Sequence, residues 1–234
     1  MKKMPDDMLT LAAGPLAGPH TSAPKRQRGL LRQQALIEAG LRLTTTRRWS
    51  EVTVADIAEA IGCSVGTFYT RFHNKEAYFA VLQQLLAEVL TQRLQAFHAA
   101  PQRRRESASA FIAAWTQLIV RSYGLHRGLY AAALAQTQLL PREAVLQMPL
   151  AGVRLATRAA LVQAMAHRPG WSGPEAAARL GFAHQLLHGL LVSAVLTNPG
   201  PLGLDEPALV AQSAQALCAY LGLPRPRALP GDTA

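Results

Sequence analysis

The sequence predicts an all-α fold. Alternating apolar and polar runs and clusters of Val, Ile and Thr, the marks of strands, are nearly absent, while alanine, leucine, glutamine and arginine dominate. Apolar residues recur at helical spacing instead, and the stretches that carry them are separated by breaks at Gly124, Pro141, Pro169–Gly173 and Pro199–Gly203. A length of 234 residues suffices for one large domain or two small ones.

The first 27 residues are rich in Pro, Gly and small side chains without periodicity. They end in Lys25 and Arg26, with Arg28 just beyond, and read as a disordered basic arm. A helical face of Leu36, Ile37, Gly40, Leu43 and Thr44 follows. Thr53 is placed to cap the next helix, because its hydroxyl can accept a first-turn amide. Asp56 lies where a negative charge suits the positive end of that helix. Val54, Ile57, Ala58 and Ile61 make its apolar face, and Gly62 can take the left-handed turn that ends it. Ser64 offers a second cap to a helix that buries Phe68 and Phe72 on one side. Asn74 then caps a third helix, opening with Lys75 and Glu76.

Two short helices joined by a tight turn make a helix-turn-helix, a device that places one helix in the major groove of DNA. The outward strip of Val65, Gly66, Thr67, Tyr69, Thr70 and Arg71 is small, hydroxylated, aromatic and basic, which suits that helix better than mere solvation. Thr67 and Tyr69 can bond phosphates or touch thymine methyls, Arg71 can reach guanine or phosphate, and Gly66 permits close approach. Thr53 and Ser64 join them as DNA-contact candidates, and Lys75 beside free helix amides makes a phosphate clamp. The net charge is +10, and 15 of the 24 Lys/Arg but only 8 of the 14 Asp/Glu fall in residues 1–105. A basic N-terminal part beside a helix-turn-helix is an electrostatic footprint of DNA binding.

The pattern T-V-x-x-I-A-x-x-x-G-x-S-x-G-T-F-Y-x-x-F-x-N-K-E resembles the DNA-binding domain of the tetracycline-repressor (TetR) family of bacterial regulators, densely from about Leu36 to Leu82. The resemblance implies a helix-turn-helix domain at 28–75, an effector-binding and dimerisation domain at 76–223, and a frayed tail at 224–234. Two departures stand out: Thr44 and Arg48 replace the aromatic and the glycine usual in the family, with Trp49 beside them to restore core volume.

Beyond the long helix that opens at Lys75, helices are expected at Ser107–Tyr123, Gly128–Gln136, Arg142–Ala166, Pro174–Thr197 and Asp205–Leu221, the last capped by Asp205. The final two are apolar around most of their circumference and must be buried. The resemblance makes them a four-helix homodimer interface, with Phe182, Leu186, Leu190, Leu209, Ala214 and Leu217 as contacts, and two-fold symmetry makes the operator palindromic. It also implies a ligand pocket, for which Phe111, Trp115, Leu118, Tyr123, Tyr130, Gln136, Met148, Met165 and Trp171 are candidates. Acidic residues are sparse here, so a neutral or anionic apolar effector fits better than a polycation. Arg121, Arg154 and Arg158 could meet an anionic group.

His184 and His188 are four apart, a spacing that can bind metal, but no further ligand is placed to complete a site, so a dimer-interface or pocket histidine pair is the better reading. No cofactor motif, nucleophile elbow, phosphate loop or paired carboxylates occurs, which disfavours an enzyme. Cys63 and Cys218 are far apart, fitting inert thiols in a reducing cytoplasm. The apolar helix near Leu180 is interrupted by Arg179, His184 and His188, and no secretory leader is evident, so no membrane role is expected. A nonspecific architectural DNA binder is the alternative, disfavoured by the large apolar second domain.

Overall fold

The computed structural model describes residues 27–198 and 200–226, and among these no strand occurs. The elements are α1 (Gln27–Thr46), a 3-10 turn (Trp49–Glu51), α2 (Val54–Glu59), α3 (Val65–Tyr69), α4 (Lys75–Ala99), α5 (Gln102–Arg105), α6 (Ala108–Leu125), α7 (Arg127–Thr137), α8 (Arg142–Leu146), α9 (Pro149–Ala166), α10 (Pro174–Leu196) and α11 (Pro207–Tyr220). They form two compact units. One takes the described chain through Thr91 together with His126–Ala151; the other takes Gln92–Leu125 and the described residues from Gly152.

The first unit is built around aromatic rings supplied by α3, its C-terminal flank and α4. Phe68, Phe72 and Tyr78 are buried, with ring centroids 5.3 Å apart for Phe68–Phe72, 5.2 Å for Phe68–Tyr78 and 4.8 Å for Phe72–Tyr78. Leu36 and Ile37 of α1 and Ile57 of α2 close the core. Tyr78 donates its hydroxyl proton to the Leu36 carbonyl, tying α4 to α1. Burial pushes its phenol above the ordinary range, so it remains a donor. Gly40 makes room for that hydroxyl, since a Cβ there would lie 1.9 Å from the Tyr78 oxygen.

The two departures at 44 and 48 have local explanations. Thr44 is buried and donates its hydroxyl to the Leu41 carbonyl at 2.8 Å. Gly128 of α7 lies against it so closely that a Cβ would come within 1.5 Å of the Thr44 carbonyl oxygen. A second tie, Gln83 Nε2 donating to Gln136 Oε1 at 2.9 Å, joins α7 to α4. Arg48 needs no left-handed backbone, because it leaves α1 in an extended conformation with φ −67° and ψ 141°. Trp49 adds volume as expected, stacking on Phe79 at 4.7 Å.

In the second unit α6 packs against α10 and α11, burying Phe111, Ile112, Trp115, Leu180, Leu187, Leu191, Leu209 and Leu217. Three expectations are corrected here. Helix 142–166 is broken in two, because Pro149, lacking an N–H, starts a new helix rather than continuing one. Asp205 is not the cap of α11: Glu206 holds that position, Pro207 starts the helix, and the Glu206 carboxylate accepts from the Gly203 amide at 2.6 Å. Helix α6 also runs through Gly124, whose missing side chain admits the Leu204 carbonyl; a Cβ would lie 3.2 Å from that oxygen.

Candidate nucleic-acid interface

Local hydrogen bonds fix the helix-turn-helix. The Thr53 amide donates to Asp56 Oδ2 at 2.6 Å, and the Asp56 amide donates back to Thr53 Oγ1 at 3.1 Å, a reciprocal capping box. Arg47 lies 3.2 Å from Asp56 Oδ1. The backbone bond from Thr53, then the bond from Arg47, hold the Asp56 carboxyl well below its ordinary value, at about 2. Gly62 takes the left-handed turn with φ 63°, and the Cys63 amide donates to the Ala58 carbonyl at 3.0 Å. Ser64 Oγ accepts from the Thr67 amide at 3.3 Å, capping α3.

This packing splits α3 into two faces. Phe68 and, just beyond the helix, Phe72 point inward. Ser64, Val65, Gly66, Tyr69 and Thr70 are exposed, and Thr67 and Arg71 are half-exposed. Tyr69 keeps 52% of its surface open while its ring packs edge-on against Phe68 at 5.4 Å, so it is both presented and held. Thr53 and Ser64 differ from the rest, because their hydroxyls are already engaged as caps.

Lys75 departs most from expectation. Its Nζ donates to the Trp49 carbonyl at 2.7 Å and sits 4.7 Å from the centre of the Trp49 ring. The ammonium is thus a tether between α4 and the 3-10 turn rather than an outstretched phosphate clamp. Asn74 caps α4 as expected, accepting from the Ala77 amide at 2.6 Å. Arg28 is exposed at the start of α1; Lys25 and Arg26 lie outside the described residues.

Residues 36–82 match the family model for bacterial regulatory proteins of the TetR family. This is a TetR-family DNA-binding domain. The class of the protein follows: a helix-turn-helix, DNA-binding transcriptional regulator. Among solved structures the chain is similar to a TetR-family transcriptional regulator from Streptomyces coelicolor, at 18% identity over 81% of this chain and 80% of that one, with a TM-score of 0.63. It is also similar to the regulatory protein TetR from Rhodobacter sphaeroides (18% identity, 82% and 97% covered, TM-score 0.56). A third likeness is to a TetR/AcrR-family regulator from Thermobifida fusca (18% identity, 80% and 96% covered, TM-score 0.54). At these identities the likeness is one of fold. No curated protein matches the chain.

The TetR-type frame leaves the second unit's candidates to be placed one by one. Phe111, Trp115, Leu118, Tyr123, Met165 and Trp171 belong to that unit, whereas Tyr130, Gln136 and Met148 belong to the first. Two of the six have a ring face occupied by a guanidinium, Arg168 over Phe111 at 4.4 Å and Arg179 over Trp171 at 5.4 Å. Trp115 and Tyr123 instead meet the histidine pair of α10: Trp115 lies 6.0 Å from His184, His184 lies 4.2 Å from His188, and the Tyr123 hydroxyl is 2.7 Å from His188 Nδ1. Burial, then Arg154 and Arg158, lower His184 to about 4; burial, then His184 and Arg154, lower His188 to about 3, so both are neutral at pH 7. The sequence offered this pair to a pocket or a dimer interface but did not join it to Trp115 and Tyr123. Its signal was spacing: Trp115 and Tyr123 stand about two helical turns apart on α6, and His184 and His188 about one turn apart on α10.

The interface candidates divide in the same way. Phe182, Leu186 and Leu190 form an exposed stripe on α10, open by 46%, 43% and 44%. Leu209, Ala214 and Leu217 are buried inside their own unit, because α11 lays that face on α6. Those three therefore pack within the protomer, whereas the α10 stripe is open. Helix α10 is long and apolar enough to cross a membrane by composition, yet it carries His184 and His188 turned into the unit.

Proposed function

We propose that the chain is a homodimeric repressor, released from a palindromic operator by a small, largely apolar, uncharged or anionic effector. The observation that carries the reading is the two-faced α3, with Tyr69 exposed and backed by buried Phe68 at the tip of a capped helix-turn-helix. The α10 stripe supports a two-fold mate, which would present two α3 helices to successive major grooves ~34 Å apart. Charge supports the effector class: in the second unit Glu106 is already held by Arg103 at 2.7 Å, so it offers little to a cation. Effector binding would move α4 and change the separation of the two α3 helices, and its differential affinity for the two separations sets the response.

The test is footprinting of the purified protein on DNA flanking its own coding sequence, against scrambled DNA at physiological salt. A discrete two-fold footprint is the expected result. Equal protection of both DNAs at fixed salt, followed by no enriched site in a selection from random DNA, would replace this reading with a nonspecific DNA-coating role.

A further inference from the structure

We propose that Trp115, His184 and His188, with Tyr123 behind them, form a binding site for the oxygen of a small uncharged ligand, a hydroxyl or ketone on an otherwise apolar body. This narrows the effector of the regulator proposed above and rests on that reading. Trp115 is fully buried and His184 nearly so, yet the Trp115 indole Nε1 and the Nε2 atoms of both histidines have no hydrogen-bond partner among the described residues. The remaining imidazole contacts are taken: Tyr123 meets Nδ1 of His188, and His184 bonds the Arg154 backbone.

Buried polar atoms are nearly always paired, so three orphans in one row mark the place of a partner. The indole N–H can only donate, so that partner must accept. Each imidazole Nε2 donates or accepts according to its tautomer, and either role can complete a hydroxyl or a carbonyl oxygen. A cation would face the indole N–H and the fields of Arg154 and Arg158, with no carboxylate acting on either histidine. The three orphaned atoms belong to an indole and two imidazoles, with no guanidinium or ammonium among them, so the row is matched to an oxygen without a full charge. An uncharged oxygen satisfies the set.

The experiment uses the full chain and three probes that share an ethylphenyl body: 4-ethylphenol, ethylbenzene and 4-ethylbenzylammonium, titrated calorimetrically. The phenol is expected to bind about tenfold tighter than the hydrocarbon, the scale of one net hydrogen bond. It should also shift the Trp115 indole N–H resonance, identified by its loss in Trp115→Phe. In Trp115→Phe and His188→Phe that preference should vanish while ethylbenzene still binds and helix content is unchanged. Equal affinity for phenol and hydrocarbon, tighter binding of the ammonium, an unaltered preference in Trp115→Phe, or no binding of the phenol would overturn the proposal; the last would assign the row to an internal water. Footprinting the same sample separates the two readings. An intact footprint with a failed phenol test sinks only this site, whereas a missing footprint sinks the regulator.

Discussion

Gly128→Ala puts the closest contact of the first unit to a test with a counterintuitive sign. In a helix, glycine is disfavoured against alanine by about 1 kcal/mol, so propensity alone predicts a gain. The structure predicts a loss. The added Cβ would fall 1.5 Å from the Thr44 carbonyl oxygen and 2.5 Å from its carbonyl carbon, backbone atoms that no rotamer change can move. Restoring an ordinary separation of about 3.5 Å means α7 must retreat from α1 by roughly 2 Å. Overpacking of this kind costs about 1–3 kcal/mol, or about 2–12 °C in Tm at this chain length. The control is Gly152→Ala, also within a helix, where an added Cβ meets nothing within 4 Å and the gain should appear. Thermal unfolding followed by circular dichroism reads both. If Gly128→Ala melts at or above the wild-type temperature, α7 and α1 do not approach as described, and α7 has no place in the first unit.

Tyr69→Ala should weaken operator binding by about 1–3 kcal/mol while leaving the melting temperature within a degree or two, since half the ring is open; unchanged affinity by fluorescence anisotropy would remove Tyr69 from the interface. Leu186→Glu buries a charge in the proposed mate contact, and light scattering should then find folded monomers where the wild type is dimeric; a persistent dimer places the interface elsewhere. The Asp56 carboxyl titrates at about 2 rather than its ordinary 3.8, so its contribution is complete above pH 4 and fades as pH falls toward 2. Denaturant unfolding from pH 5 to 2 should show an acid loss that is smaller in Asp56→Asn, and equal losses in both proteins would refute the capping role.

What was legible in the sequence was local. Thr53, Gly62, Ser64 and Asn74 could be read as caps and turn because their partners lie within three to five residues. The Lys75 tether could not, since Trp49 is 26 residues away and an ammonium ahead of a helix reads equally well as a phosphate ligand. Nor could the place of α7: the fit of Gly128 against Thr44 is a long-range coincidence of two small residues, and pattern alone put that helix with its sequence neighbours. Helices apolar all round hide which side meets the protomer and which meets a mate. That is why Leu209 and Leu217 were grouped with Phe182 and Leu186, although only the latter pair is exposed.

The same long-range contacts constrain how any signal can reach DNA. Within the first unit, α7 abuts α1 at Gly128 and Thr44, α1 is bonded to α4 through Leu36 and Tyr78, and α4 is tied to the 3-10 turn through Lys75 and Trp49. Helix α3 is locked to the same core by Phe68 against Tyr78. None of these joints has slack: one is a glycine close to steric contact with backbone, two are short hydrogen bonds and the fourth is an edge-on ring contact. A displacement entering at α7 or α4 is therefore passed on rather than absorbed, and packed cores switch between arrangements instead of deforming smoothly. On the proposed mechanism, effector binding then turns the unit as one body and changes the spacing of the two α3 helices, while the face of each α3, with Tyr69 on its Phe68 support, stays as it is. Specificity and response are in that case separable: residues on the outer face of α3 set which DNA is read, and residues such as Gly128 and Thr44 set whether an effector can stop the reading.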